Sequence, residues 1–375
     1  MLVVHRWLAL IIGVLLILIA VSGAATVFEQ RIAETAVVHV APGGQLLSLD
    51  VLAARAVAAA GGGQVAAISL GRAPDQAFGF QVDRDTVEQD LLLNPYSGAV
   101  LGAAPPPTRL ILIASRLHQF HTSLLAGSTG RLVVGFATIG ALILVLSGLF
   151  LWWREKLWRI HWSASWKRIV FDLHHTFGAA AAIILLIITG TGVWIGFPNQ
   201  VNPLVLSLNR TSVPNGQPKA PPPDSGAVPV SFDSMLKSAH HAVPGAPVLL
   251  MLLPAQGPVM MYLRYPEDHT PGGRSRVYLD PFRGSVLRAT NTRTAEPGTK
   301  LMNLERSLHT GDVLGGITQV IWFLASLVLA SQAVTGIMMW WNGRKGRGKR
   351  LAADAAAREN GRFLSPRHPP HAPRP

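Results

Sequence analysis

The chain has 375 residues, of which 49% are hydrophobic and only 14% charged, with a formal net charge of +13 and no cysteine. That composition argues against an ordinary soluble enzyme. The lack of cysteine excludes disulfides, iron–sulfur clusters and thioether-attached haem.

Crossing a hydrocarbon core of ~30 Å takes about 20 apolar helical residues, because lipid offers no partner to an unpaired backbone amide. The first such run covers residues 5–28. Its short basic start and small residues also suit a cleaved signal peptide. It has a counterpart deep in the chain, described below, so the expectation is that it is retained. Residues 29–130 then form a first module outside the membrane, in which "SLDVLAARAV" reads as a helix, "GFQVDR" as a strand and Asn94-Pro-Tyr-Ser-Gly98 as a turn. In that turn Pro fixes φ and Gly allows φ > 0. A second span (131–154), a basic turn (155–171) and a third span (172–197) follow. The second module (198–311) opens on "PNGQPKAPPPDSGAVPV", expected to be extended or disordered, and continues with a helix "SFDSMLKSAH", a strand "VMMYLRY" and the turn Asp280-Pro-Phe-Arg-Gly284. The fourth span covers 312–341, and the Arg- and Pro-rich tail 342–375 reads as disordered.

Arg154, Lys156, Arg159, Lys167 and Arg168 fill the turn between spans two and three, and the tail is also rich in Lys and Arg. The positive-inside rule puts both in the cytoplasm together with Arg6, and so puts the two modules on the opposite, periplasmic side. The excess charge is then topological, and nothing in it points to nucleic acid.

The chain repeats itself. Gly23 lies 18 residues after His5 and Gly192 lies 18 after His174, each preceded by Ser or Thr. Gly148 and Gly336 each lie 27 residues after a His-Thr pair, His121 or His309; each follows a Ser or Thr and precedes a Trp pair. With the matching helices and turns of the modules, this reads as a tandem duplication of helix, module, helix. The expected fold is an α-helical membrane protein with four transmembrane helices and two small α+β modules.

The duplicated histidines sort into two pairs. His5 and His174 fall at the cytoplasmic ends of spans one and three, and His121 and His309 at the periplasmic approaches to spans two and four. Two imidazoles from facing helices, with small residues beside them (Gly178–Ala182, Ser22–Ala25), suit a non-covalent haem b, one for each pair. His118 and His175 are candidate substitutes for His121 and His174. Zinc would want four ligands gathered together, and proton-coupled transport an acid or Lys at mid-membrane; the spans supply neither. His39, His161, His240, His241, His269, His368 and His371 read as surface residues.

"VHRWLAL", "FHTSLLAG", "LHHTFG" and "SLHTGDVLGG", with the two Asn/Asp-Pro-aromatic-x-Gly turns, resemble the PepSY-associated transmembrane family. The resemblance covers nearly all of the chain except the tail. Two departures are His118 in the second motif and His175 where many relatives have Arg. The resemblance implies PepSY-like periplasmic modules, haem in the membrane and, from some members, reduction of ferric siderophores such as hydroxamates. No Gly-rich dinucleotide fingerprint follows an expected strand, so the electron donor would be a cytoplasmic partner or a quinol. The alternatives are a haem carrier serving another reductase, and a haem-free regulator whose modules restrain a periplasmic protease.

Overall fold

A computed structural model describes residues 1–85, 87–212 and 216–363, with side chains to Arg344. Among the described residues, four helices are long and apolar enough to cross a membrane. They are α1 (Leu2–Thr26), α5 (Gly127–Glu155), α6 (Trp166–Gly196) and α10 (Gly316–Phe363), whose apolar part ends near Arg344. Ile11, Phe136, Trp153 and Ile183 expose more than 60% of their surface, which suits a chain whose solvent is lipid. Small residues let the helices approach closely: a Cβ on Gly140 would lie 2.5 Å from Ile12 Cδ1. The first three helices begin before the residues expected from hydropathy, and the turn between α5 and α6 is correspondingly short. Lys156 ends α5 in the left-handed region at φ 47°.

The expected disorder of residues 342–375 is corrected in part, because α10 runs on to Phe363. The stretch "LAADAAAREN" is rich in strong helix formers, so a helix already started costs little to extend. Residues 364–375, with His368 and His371, lie outside the described residues.

The chain packs as two units, each assembled from separated segments. One comprises Met1–Val21, Ile139–Leu186 and the chain from Ala325; the other comprises Ser22–Thr138 and Ile187–Leu324.

The second unit contains the extramembrane part. There α3 (Leu49–Ala59) precedes β1 (Gln64–Ser69), β2 (Phe78–Arg84), β3 (Val87–Leu93) and β4 (Val100–Ala103). Helices α4 (Arg109–Ser123) and α7 (Pro198–Leu208) follow on either side of the spans, and then α8 (Phe232–Ala242) precedes β5 (Val248–Leu252), β6 (Val259–Leu263), β7 (Ser275–Leu279) and β8 (Val286–Thr290). The two expected modules are not separate. They form one antiparallel sheet, ordered β4-β3-β2-β1-β5-β6-β7-β8, joined where Ile68 on β1 sits opposite Met251 on β5. Either half alone would leave an unpaired inner edge strand, and pairing those edges satisfies both while merging two small cores into one. Leu52, Ile68, Phe80, Met235, Met251 and Met261 are all at most 1% exposed in that common core.

The two halves match in detail. Asn94 Oδ1 accepts from Tyr96 N (2.9 Å) and Ser97 N (3.2 Å); Asp280 Oδ1 accepts from Phe282 N (2.8 Å) and Arg283 N (3.2 Å). Gly98 and Gly284 close these turns at φ 69° and 65°. The helix starts are capped across the halves: Asp50 accepts from Phe232 N (2.9 Å) and Asp233 N (3.2 Å), while Asp233 accepts from Leu49 N (3.0 Å) and from the Ser48 hydroxyl. Residues 216–230 contain no helix or strand, as expected of that linker.

Candidate functional site

His121 lies on α4 and His309 on α9 (Pro297–Thr310), two helices outside the spans. Each is anchored by a neighbour. On α2 (Glu29–Glu34), Glu29 Oε2 holds His118 Nδ1 at 2.6 Å; after α7, Thr211 Oγ1 accepts from Gly298 N at 3.0 Å. Leu124 at φ 51° and Gly311 at φ 80° end α4 and α9, and Trp322 Nε1 donates to Leu308 O at 2.7 Å. These contacts set where both imidazoles project.

The rings of His121 and His309 lie with centroids 6.1 Å apart and planes at 35°. In the other unit, His5 on α1 and His174 on α6 lie 6.4 Å apart at 85°. Both expected pairs are therefore assembled. Of the substitutes, His118 pairs with Glu29, while His175 bonds Phe171 O at 3.0 Å, stacks on the Phe171 ring and stays beside His174, with ring centroids 5.9 Å apart.

His5, His174 and His309 each have a polar partner at Nδ1. His5 bonds Ser147 Oγ (2.8 Å), His174 bonds Thr335 Oγ1 (2.9 Å), and His309 bonds Ile188 O (3.0 Å) and Thr191 Oγ1 (3.1 Å). A glycine follows each hydroxyl residue in sequence, and a Cβ on it would meet the imidazole Cε1. The distances would be 3.3 Å at Gly148, 3.6 Å at Gly336 and 3.2 Å at Gly192; Gly23, after the buried Ser22, would meet His121 Cε1 at 2.7 Å. The spacing of these Ser/Thr-Gly pairs was legible in the sequence, but their task was not, since it depends on which helix faces which.

The residues fit a haem. Two imidazole nitrogens holding one iron from opposite sides would place the ring centroids roughly 6 Å apart, as both pairs are. Metal-bound histidines usually donate the other ring N–H to a hydroxyl, carbonyl or carboxylate, and the Nδ1 contacts above have that form. The apolar setting and the neighbouring His121 push the His309 imidazole down to about 4, so it is neutral near pH 7 and can offer a lone pair. Among the described residues no three His, Cys, Asp or Glu side chains converge as on a metal ion.

Of the histidines expected at the surface, His39, His161, His240, His241 and His269 are exposed. His161 nevertheless has a strong partner, bonding the fully buried Asp172 at 2.8 Å, which its place in a basic turn did not reveal. A further feature invisible in the sequence is an open pocket of about 200 Å³ between α9 and the long β6–β7 loop, lined by Glu267, Asp268, His269, Arg274, Lys300 and Asn303 among others. The loop is pinned to α9 by the buried Thr270–Ser307 contact of 3.1 Å. The connection from β2, ending at Arg84, to β3, starting at Val87, is much shorter than this loop.

Among the described residues, four helices long and apolar enough to cross a membrane, one antiparallel sheet and two histidine pairs mark a membrane protein with a large sheet domain. Its sequence matches the model of the PepSY-associated TM region over residues 2–343, and the chain belongs to that family. Comparison with curated proteins gives no match.

Proposed function

We propose that the protein is a tandem duplication that carries two b-type haems, one between His5 and His174 and one between His121 and His309, and reduces a ferric chelate of the siderophore class. The observation that carries this reading is the pair of imidazole separations, 6.4 and 6.1 Å, together with the Nδ1 contacts of His5, His174 and His309, which leave their Nε2 atoms for iron. Bound there, haem supplies a one-electron couple whose potential the protein sets through ligation and burial.

In this reading the basic α5–α6 turn faces the cytoplasm of a bacterial inner membrane, the sheet domain lies in the periplasm, and both termini are cytoplasmic. Electrons enter from a cytoplasmic partner or a quinol; a quinol gives two electrons and two protons, enough for two ferric ions. Hard oxygen donors, hydroxamates among them, favour iron(III), so one electron loosens the chelate and releases iron(II) with no bond in the ligand cut. No acid, base or nucleophile is needed. The pocket on α9 is the docking place in this proposal. Arg274 and Lys300 line it and can donate to chelate oxygens, and Asn303 lies six residues, about 9 Å along the helix, from His309.

The test is an absorption spectrum of the detergent-purified protein, oxidised and dithionite-reduced, with haem counted per chain and reoxidation followed on adding a ferric hydroxamate. About two haems with sharp reduced bands that the chelate bleaches are expected. His121→Ala and His309→Ala should each remove one haem and abolish chelate reduction while the other haem stays reducible. Protein that is colourless after expression in haem-replete cells would overturn the proposal in favour of the regulatory reading. Two haems that stay reduced in the presence of chelate would make it a carrier for another reductase.

A further inference from the structure

The hydroxyls that touch the histidines have already used their hydrogens. Ser147 Oγ donates to Ile143 O at 2.7 Å, Thr335 Oγ1 to Ser331 O at 2.7 Å and Thr191 Oγ1 to Ile187 O at 2.6 Å, each to the carbonyl four residues back in its own helix. A hydroxyl has one hydrogen, so toward the imidazole each of these oxygens can only accept. The proton is therefore on Nδ1 in His5, His174 and His309, and the lone pair is on Nε2. His309 is held in the same way by Ile188 O, a backbone oxygen with no hydrogen to give.

The same helices fix how the rings are turned. Each hydroxyl residue is followed by a glycine against which the imidazole Cε1 rests, so the ring meets an oxygen and a bare stretch of backbone side by side. A ring held at both points cannot rotate about its Cβ–Cγ bond without losing the hydrogen bond or colliding with the helix. The seats are reciprocal within each half of the chain. His5 of α1 sits on Ser147-Gly148 of α5, and Gly23 of α1 receives His121; His174 of α6 sits on Thr335-Gly336 of α10, and Thr191-Gly192 of α6 receives His309. The outcome differs between the pairs: planes at 85° for His5 and His174, and at 35° for His121 and His309.

Resting on the haem reading above, we propose that the Ser147-Gly148, Thr335-Gly336 and Thr191-Gly192 seats are positioning elements that hold the imidazoles as Nδ1–H tautomers at fixed angles and so make the two haem sites electronically distinct. The physical reason lies in low-spin ferric iron. Parallel imidazole planes split the two d orbitals that overlap the ligand π systems, which gives a rhombic three-line electron paramagnetic resonance spectrum. Crossed planes leave those orbitals nearly degenerate, which gives one strongly anisotropic low-field feature. The hydroxyl acceptor also makes the imidazole a more basic ligand, which stabilises the ferric state and lowers the potential.

The test uses the full chain in detergent, loaded with haem. The oxidised wild type should show both signals, the crossed-plane feature and the rhombic spectrum. Ser147→Ala should shift or broaden the crossed-plane feature alone, raise the midpoint potential of that haem and weaken its retention by about 10- to 100-fold. Ser147→Thr should restore all three, and Thr335→Val should act on the same signal from the other side of the iron. Thr191→Val should alter only the rhombic spectrum. Two bound haems whose spectra and potentials ignore Ser147→Ala and Thr335→Val would overturn the inference and leave the haem reading standing. A wild type with two rhombic signals would overturn the angular part, and a chain that binds no haem would overturn both.

Discussion

A Cβ added at Gly23 would lie 2.7 Å from His121 Cε1, closer than real contacts allow, whereas at Gly336 it would stand an ordinary 3.6 Å from His174 Cε1. Gly23→Ala should therefore displace His121 and cost about one haem per chain, while Gly336→Ala should keep both; haem counted in the two purified variants decides it. The sequence offered both glycines at repeated spacings, but could not tell a tight seat from a loose one, because that depends on tenths of an ångström between helices. Asp280 poses a second question at this scale. Burial pushes its carboxyl up, but hydrogen bonds from Phe282 N and Arg283 N and the Arg283 guanidinium outweigh burial and hold it below the usual carboxylate range. A folded pKa below the unfolded one means that its stabilisation is complete above about pH 4 and is lost as pH falls through the folded value. Asn94 makes the same turn in the other half without a charge. Asp280→Asn should therefore keep the fold near neutral pH and show a smaller drop in melting temperature below about pH 4 than the wild type; an identical acid limb would refute this.

Helices α3 and α8 begin on each other's carboxylates, and α8 has in addition a local cap in which Ser231 Oγ accepts from Ser234 N at 3.2 Å. Asp50→Ala leaves the amides of Phe232 and Asp233, on the other helix, without their acceptor, at a cost of about 1 kcal/mol. Amide exchange in the first turn of α8 should then quicken by roughly fivefold, with that of α3 changing less. Exchange that quickened only in α3, where the substitution lies, would show the cap to be unimportant. Both helices were legible as amphipathic runs, and so were both turns, since Pro, Gly and Asn/Asp act over a few residues. The cross-capping was not, because the partners are separated by more than 180 residues. The tail was misread at this scale too: Arg and Pro suggested disorder, yet the Ala-rich stretch lets α10 continue to Phe363.

At the scale of the molecule, the pairing of β1 with β5 makes the two expected modules one sheet and one core. Ile68 is fully buried opposite Met251, so Ile68→Ala should cost about 2–5 kcal/mol. Loss of protection should reach β6 as well as β2 in hydrogen exchange; an effect confined to β1–β4 would mean two independent modules. The sequence by itself determined the four spans, the family and the spacing of histidines with Ser/Thr-Gly pairs. Lipid demands an unbroken apolar run, and helix geometry turns spacing into facing, so both constraints can be read along the chain. The repeat already suggested pairing His5 with His174 and His121 with His309; only the tertiary structure decided that His118 pairs with Glu29, that His175 bonds Phe171 O, and that the sheet is continuous. The first and last of those outcomes are choices among partners far apart in sequence, settled by which polar group or strand edge would otherwise be left unpaired.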